Sequence, residues 1–259
     1  LEAPEGALVV DGRGKHLTPG IIDCHSHSFG SGAVNESSNT CTAEVRVGDV
    51  LNAQTVRIYQ QLAGGVTTAN VLHGSANAMG GQSAVVQLRW GQTPNGLLFE
   101  GATPGIKFAL GENPKRSNWG QNLKPRYPTT RVGVQESIRE RFQAARDYRR
   151  RLDDWRRAPT VDRVPPRIDL QLEALAEVLA GTRKVHCHSY RQDEILALIR
   201  VAEEFGFVIG TFQHVLEGYK VAEAIAAHGA GASTFSDWWA YKFEVYDAIG
   251  FNGTLMQRK

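Results

Sequence analysis

From Ile21 onward, short apolar runs of strand length alternate with longer helix-like segments, and this rhythm limits the fold more than any other feature of the chain. Ile21–Cys24, Val66–Leu72, Leu97–Phe99, Ile106–Leu110, Val185–Cys187, Phe207–Phe212 and Gly231–Phe235 read as strands. Asp49–Leu62, Val134–Arg157, Leu170–Leu179, Asp193–Phe205 and Val221–His228 read as helices. In Asp193–Phe205, the residues Ile195, Leu196, Ile199 and Ala202 gather on one face at helical spacing. Asp49 is the expected N-cap of the first helix, and Gly64 with Gly65 its stop. Gly74–Gly81 reads as a loop of small residues. Strands alternating with helices predict an α/β fold with a parallel sheet or barrel. The chain has 259 residues, and one barrel of about 250 residues is an ordinary size.

Composition narrows the function classes. The net charge of +2 points to no strongly charged partner. Cys24, Cys41 and Cys187 are too few and too scattered for a disulfide framework. Cys24 and Cys187 each adjoin a histidine and are expected to pack facing away from it. No apolar run is long enough to span a membrane, so no membrane partner is expected. No leader is visible, but the opening LEAPEGALVVDGRG reads as mid-protein. Cytoplasmic and exported locations therefore both stay open. Residues 115–167 carry fifteen Lys or Arg against six Asp or Glu. Their acids are interspersed and no regular aromatic platform accompanies them, so they read as a solvated helix face and not as a nucleic-acid surface. Such an insertion would shape substrate access or a subunit contact, the latter in a homo-oligomer.

Histidines recur at the strand ends. His25 and His27 stand two residues apart after an apolar strand, so their side chains point the same way. Two converging imidazoles can share one metal ion. His186 and His188 repeat the spacing, and His214 ends a later strand. Lys107 lies inside the apolar run Ile106–Leu110, where a cation is costly unless it is paired or neutralised.

The run LTPGIIDCHSH resembles the first barrel strand of the amidohydrolase superfamily. The resemblance continues through GGVTTANVLHGSANAMGGQSAVVQLR, GIKFALGENPKR, KVHCHSYRQDEILALIRVAEEFG and FQHVLEGYKVAEAIAAHG, covers nearly the whole chain, and is greatest to the imidazolonepropionase-like branch. It implies a TIM-like (β/α)8 barrel over residues 19–259, with the Arg-rich segment as an insertion. Residues 1–18, with a strand at Leu8–Val10 and a turn at Asp11–Gly12, would be the remnant of a flanking β-sandwich. No segment after Asp237–Tyr246 reads as strand eight, so the chain is expected to be truncated at both ends.

The resemblance further implies one or two zinc-like ions held by His25, His27, His214 and one histidine of the second pair, with His186 preferred. Lys107 would be carboxylated and bridge two ions. His188 and His214 would be catalytic, as proton carrier, oxyanion partner or substrate contact. His73, Gly80, Gly81, Tyr241 and Lys242 would face a small-molecule substrate, and Trp238 and Trp239 could wall its pocket. The aspartate that ends strand eight in the family has no counterpart, since Asp237 comes only 23 positions after His214. The implied reaction is metal-dependent hydrolysis of a C–N bond in an amide, a cyclic amide or a dipeptide-like substrate. The alternatives are a mononuclear deaminase or imidazolonepropionase-like enzyme, and a non-catalytic barrel fragment acting as a scaffold.

Overall fold

The computed structural model describes residues 2–115, 126–158, 164–235 and 242–259. Two sheets organise them. One contains β1 (Ile21–Ser26), β2 (Val66–Val71) and β4 (Ala84–Gln87), in that order. The other runs β3 (Met79–Gln82), β5 (Gly105–Ala109), β6 (Lys184–Ser189), β7 (Thr211–His214) and β8 (Gly231–Thr234). β1 is parallel to β2, and β5 through β8 are parallel to one another.

The strands do not close into a barrel among the described residues. β3 and β4 are the reason. Both are antiparallel to their neighbours, β3 to β5 and β4 to β2, and the chain turns from one sheet to the other at Ser83. The expected loop Gly74–Gly81 thus runs into a strand. The expected strand Leu97–Phe99 is reduced to an isolated antiparallel bridge of Leu98 to Val86, because Leu97 ends a helical turn, α2 (Pro94–Leu97), that Thr93 caps and whose first residue Pro94 presets. Phe99 still donates its N–H to Val85 O at 2.9 Å, a remnant of pairing.

The helices α1 (Val56–Ala63), α3 (Arg131–Arg157), α4 (Leu170–Leu179), α5 (Gln192–Phe205), α6 (Gly218–His228) and α7 (Asn252–Gln257) complete the fold. α1 begins later than expected. Thr55 is its cap, whereas Asp49 lies in a 3-10 turn and binds Arg46 at 3.0 Å. α5 ends at Gly206 and α6 at Gly229, both in the left-handed region that glycine tolerates.

α3 explains the Arg-rich composition. Val134, Ile138, Phe142, Ala145, Tyr148 and Leu152 recur every three or four residues and are buried against the core. The opposite face pairs Arg139 with Glu136, Arg150 with Asp147 and Arg157 with Asp154 one turn apart, as expected of a solvated face.

Leu8–Val10 forms no strand. These residues are largely exposed, with no ladder partner among the described residues. No helix among the described residues is long and apolar enough to cross a membrane.

Candidate functional site

The ends of β1, β6 and β7 bring histidines together above a lysine on β5. His27 Nδ1 lies 2.8 Å from Leu72 O, an acceptor only, so Nδ1 carries the proton. His25 Nδ1 lies 2.9 Å from Gln213 Oε1, which sets the same tautomer. Both rings therefore turn an Nε2 lone pair outward, and these two nitrogens are 3.1 Å apart. Burial keeps both imidazoles neutral, with the Lys107 charge adding to the effect. The His25 pKa falls to about 3, and that of His27 falls below the usual histidine range.

Two neutral lone pairs at this distance repel unless a proton or a cation lies between them. Zinc–nitrogen bonds of about 2.0–2.1 Å place adjacent tetrahedral ligands roughly 3.3 Å apart, so the pair fits a divalent cation. The outer contacts to Gln213 and Leu72 are of the kind that orient ligand imidazoles. Among the described residues, no group of three His, Cys, Asp or Glu is gathered closely enough for a complete ligand set.

His214 reaches the cluster through an unusual backbone. Its φ is 69°, and that of Val215 is 35°, a region β-branched residues rarely enter. On a regular strand Gln213 and His214 would face opposite sides. Here both meet His25, Gln213 by hydrogen bond and His214 with ring centroids 4.9 Å apart. Phe235 stacks on the far face of His214 at 5.2 Å. Burial lowers the His214 pKa to about 2, and Lys107 adds to the shift.

The two histidines of β6 part company. Register pairs Lys107 with His186 and Ala109 with His188, so His188 is one layer nearer the strand ends. Its ring lies 4.6 Å from His214 and 4.5 Å from Tyr190, and it is 2% exposed. His186 lies lower and lines a separate cavity of about 490 Å³ with Ile22, Cys24, Asn70 and Thr211. Its pKa falls to about 4, chiefly through burial. The geometry thus joins His188 to His214, which in turn meets His25, whereas the resemblance implies His186 as the ligand.

Lys107 is completely buried on β5, whose five residues are all covered. Its Nζ is 3.3 Å from His25 Nε2, and it forms no salt bridge among the described residues. Burial pulls its pKa down to about 7.

The residues expected at the substrate pocket fare differently. His73 is 2% exposed and uses both nitrogens. Nε2 accepts from the Glu36 N–H at 2.8 Å, and Nδ1 donates to Gly74 O at 2.9 Å. It pins two loops together and turns neither nitrogen to the pocket. Gly80 and Gly81 pack on its ring. A Cβ at Gly80 would lie 2.6 Å from His73 Nδ1 and 3.1 Å from Lys107 O. Gly80→Ala is therefore expected to lower stability by about 1–3 kcal/mol, read as a lower denaturant midpoint at unchanged slope. An unchanged midpoint would refute the packing role.

Lys242 is not open to a ligand carboxylate. It lies 2.8 Å from Glu244 and 3.4 Å from Glu112, and 4.5 Å over the Tyr190 ring. Tyr241, with Asp237, Trp238 and Trp239, lies outside the described residues. Cys187 is buried as expected, and Cys41 is buried as well, but Cys24 is exposed, with Sγ 3.5 Å from Ser233 Oγ. Gln213, Asn113, Tyr190 and Phe235 border the histidines without having been singled out in the sequence. Only the adjacency of Gln213 to His214 could have marked any of them.

No family model matches the chain. It is 32% identical over 282 residues to the amidohydrolase tasK of Hapsidospora irregularis, over 98% of this chain. The chain spans 28% of the length of that relative. Its structure is similar to that of an amidohydrolase from Thermotoga maritima, with a TM-score of 0.88 and 31% identity over all of this chain and 67% of the other. Identity at this level, held over the whole chain together with the structural agreement, shows that the chain belongs to the amidohydrolase family.

Proposed function

We propose that this chain carries the metal-binding half of a hydrolase for C–N bonds in small amide, cyclic-amide or dipeptide-like substrates. The observation that carries the reading is the His25–His27 pair, two Nε2 lone pairs 3.1 Å apart beside a fully buried lysine. The likeness to the Thermotoga maritima amidohydrolase supports hydrolysis of amide-type bonds.

His25, His27 and His214 would hold one or two zinc ions, with His188 in ring contact with His214. A zinc ion supplies Lewis acidity toward a water and toward the scissile carbonyl. Lys107 would join as a carbamate. Its neutral amine attacks carbon dioxide, a C–N bond forms, one proton leaves to solvent, and a carboxylate oxygen pair replaces the buried cation. Its lowered pKa leaves a large fraction of that amine neutral near pH 7. His188 and His214 are neutral and buried, so each can donate one N–H to an oxyanion that develops on the substrate. Tyr190 and Phe235 keep bulk water from their rings.

The test is hydrolysis of a panel of N-acyl amino acids, dipeptides and cyclic amides by the chain and by a longer form extended to its relatives' length. Zinc-dependent turnover that His214→Ala removes is the expected result. Zinc binding without turnover by the longer form on any substrate would favour the scaffold reading instead.

A further inference from the structure

The Arg-rich helix sends one residue into the neighbourhood of the site. Arg131, the first residue of α3, contacts Glu194 at the start of α5 at 2.5 Å and Glu244 at 2.8 Å. The Glu244 side chain is 1% exposed. Its Oε2 also accepts the backbone N–H of Glu112 at 3.0 Å, and its Oε1 lies 2.8 Å from Lys242 Nζ. One buried carboxylate thus ties α3, the loop after β5 and the segment after β8 together.

That loop leads to the site. Gly111 stands at φ +80°, and a Cβ there would come within 2.8 Å of Glu244 Oε2, so both backbone and space require glycine. Two residues on, Asn113 turns Oδ1 to Lys242 Nζ at 3.5 Å, which leaves Nδ2 to donate to His188 Nε2 at 3.3 Å. Oδ1 and Nδ2 are thereby told apart, and His188 is held as the tautomer with its proton on Nδ1.

We propose that Glu244, clamped by Arg131, is a positioning residue that holds Asn113 against His188 and so sets the orientation and tautomer of that imidazole. A buried carboxylate with two hydrogen-bond donors and a lysine ion pair resists displacement, because losing one partner leaves charge without compensation. The insertion helix then braces the site from outside through Arg131. The functional weight of this brace rests on the proposed role of His188, but its existence does not.

The test uses the full chain, metal-free, with isotope-labelled histidine. Ring resonances of His188 are compared in Asn113→Ala, Glu244→Gln, Arg131→Met and the double variant Asn113→Ala with Glu244→Gln. His228, which accepts from the Ile209 N–H on α6 away from this node, is the internal control. The His188 signals are expected to move by more than a line width in each single variant while those of His228 stay. The double variant should match Asn113→Ala alone, since Glu244 acts through Asn113. Should Glu244→Gln fail to fold, Arg131→Met and its double with Asn113→Ala give the same comparison. Unmoved His188 signals in Asn113→Ala, additive shifts in the double, or equal movement of His228 would each overturn the brace. Turnover by the longer form carrying His188→Ala, measured separately, tests the role of His188. Its retention would remove that role and leave the brace standing.

Discussion

Lys107→Met is expected to stabilise the metal-free chain by roughly 4 kcal/mol at pH 7, on the order of 10 °C in melting temperature. The figure follows from a pKa lowered from 10.5 to about 7, at about 1.4 kcal/mol per unit, counted only to pH 7 where the folded group is half protonated. The unfolded chain binds the lysine proton up to pH 10.5, whereas the folded chain releases it near 7. Stability of the metal-free protein should therefore rise between pH 7 and 10.5, and Lys107→Met should flatten that rise. On the acid side Lys107→Met should lose somewhat less stability, because the Lys107 charge helps to lower the histidine pKa values. His25, His186 and His214 have folded pKa values of about 3, 4 and 2, below the usual 6.5. Their contribution is present above pH 6.5 and is lost as pH falls through that range. With zinc and bicarbonate added, the order should reverse, because wild type can then replace the buried cation by a carbamate. A metal-free Lys107→Met protein that melts below wild type at pH 7 would sink the argument.

Substituting His25→Ala together with His27→Ala is expected to abolish zinc uptake, with about one or two ions per chain in wild type and none in the variant by elemental analysis. Gln213→Leu keeps both ligands and removes only the partner of His25 Nδ1. It should weaken binding by about 10- to 100-fold, the usual effect of an outer contact to a ligand imidazole. This gradation separates a metal centre from a packed histidine cluster. A cluster without metal would show no zinc in wild type, and the loss of Gln213 would then register in stability alone.

Much of this site was legible in the residues before any fold was known. The His-x-His spacing of His25 and His27 fixes a shared direction on a strand, and the two converge as that spacing predicts. Lys107 in an apolar run was marked by chemistry, and it is fully buried. The Arg-rich helix reads as solvated because its acids are interspersed and no aromatic platform accompanies them, and α3 pairs several of those acids with arginines. The Gly74–Gly81 loop was legible as a place of close approach, but what approaches it is the structural imidazole of His73.

What the sequence determined by itself is the local order: strand and helix alternation, the histidine pairs, the buried lysine and the polar face of α3. These follow from periodicity and transfer energy, which need only near neighbours along the chain. How near the strand ends each histidine of β6 sits was decided by register against β5, a relation between residues about eighty positions apart. That Gln213 and His214 both face inward depends on a positive φ at the end of β7, which no local preference of His or Val favours. The antiparallel excursion of β3 and β4 into two sheets depends likewise on partners that lie far along the chain. The linkage of Arg131 through Glu244 to Asn113 and His188 joins four segments and leaves no periodic trace. Long-range pairing chose among arrangements that local sequence leaves equal, because the free energy that separates them arises only when the distant strands meet.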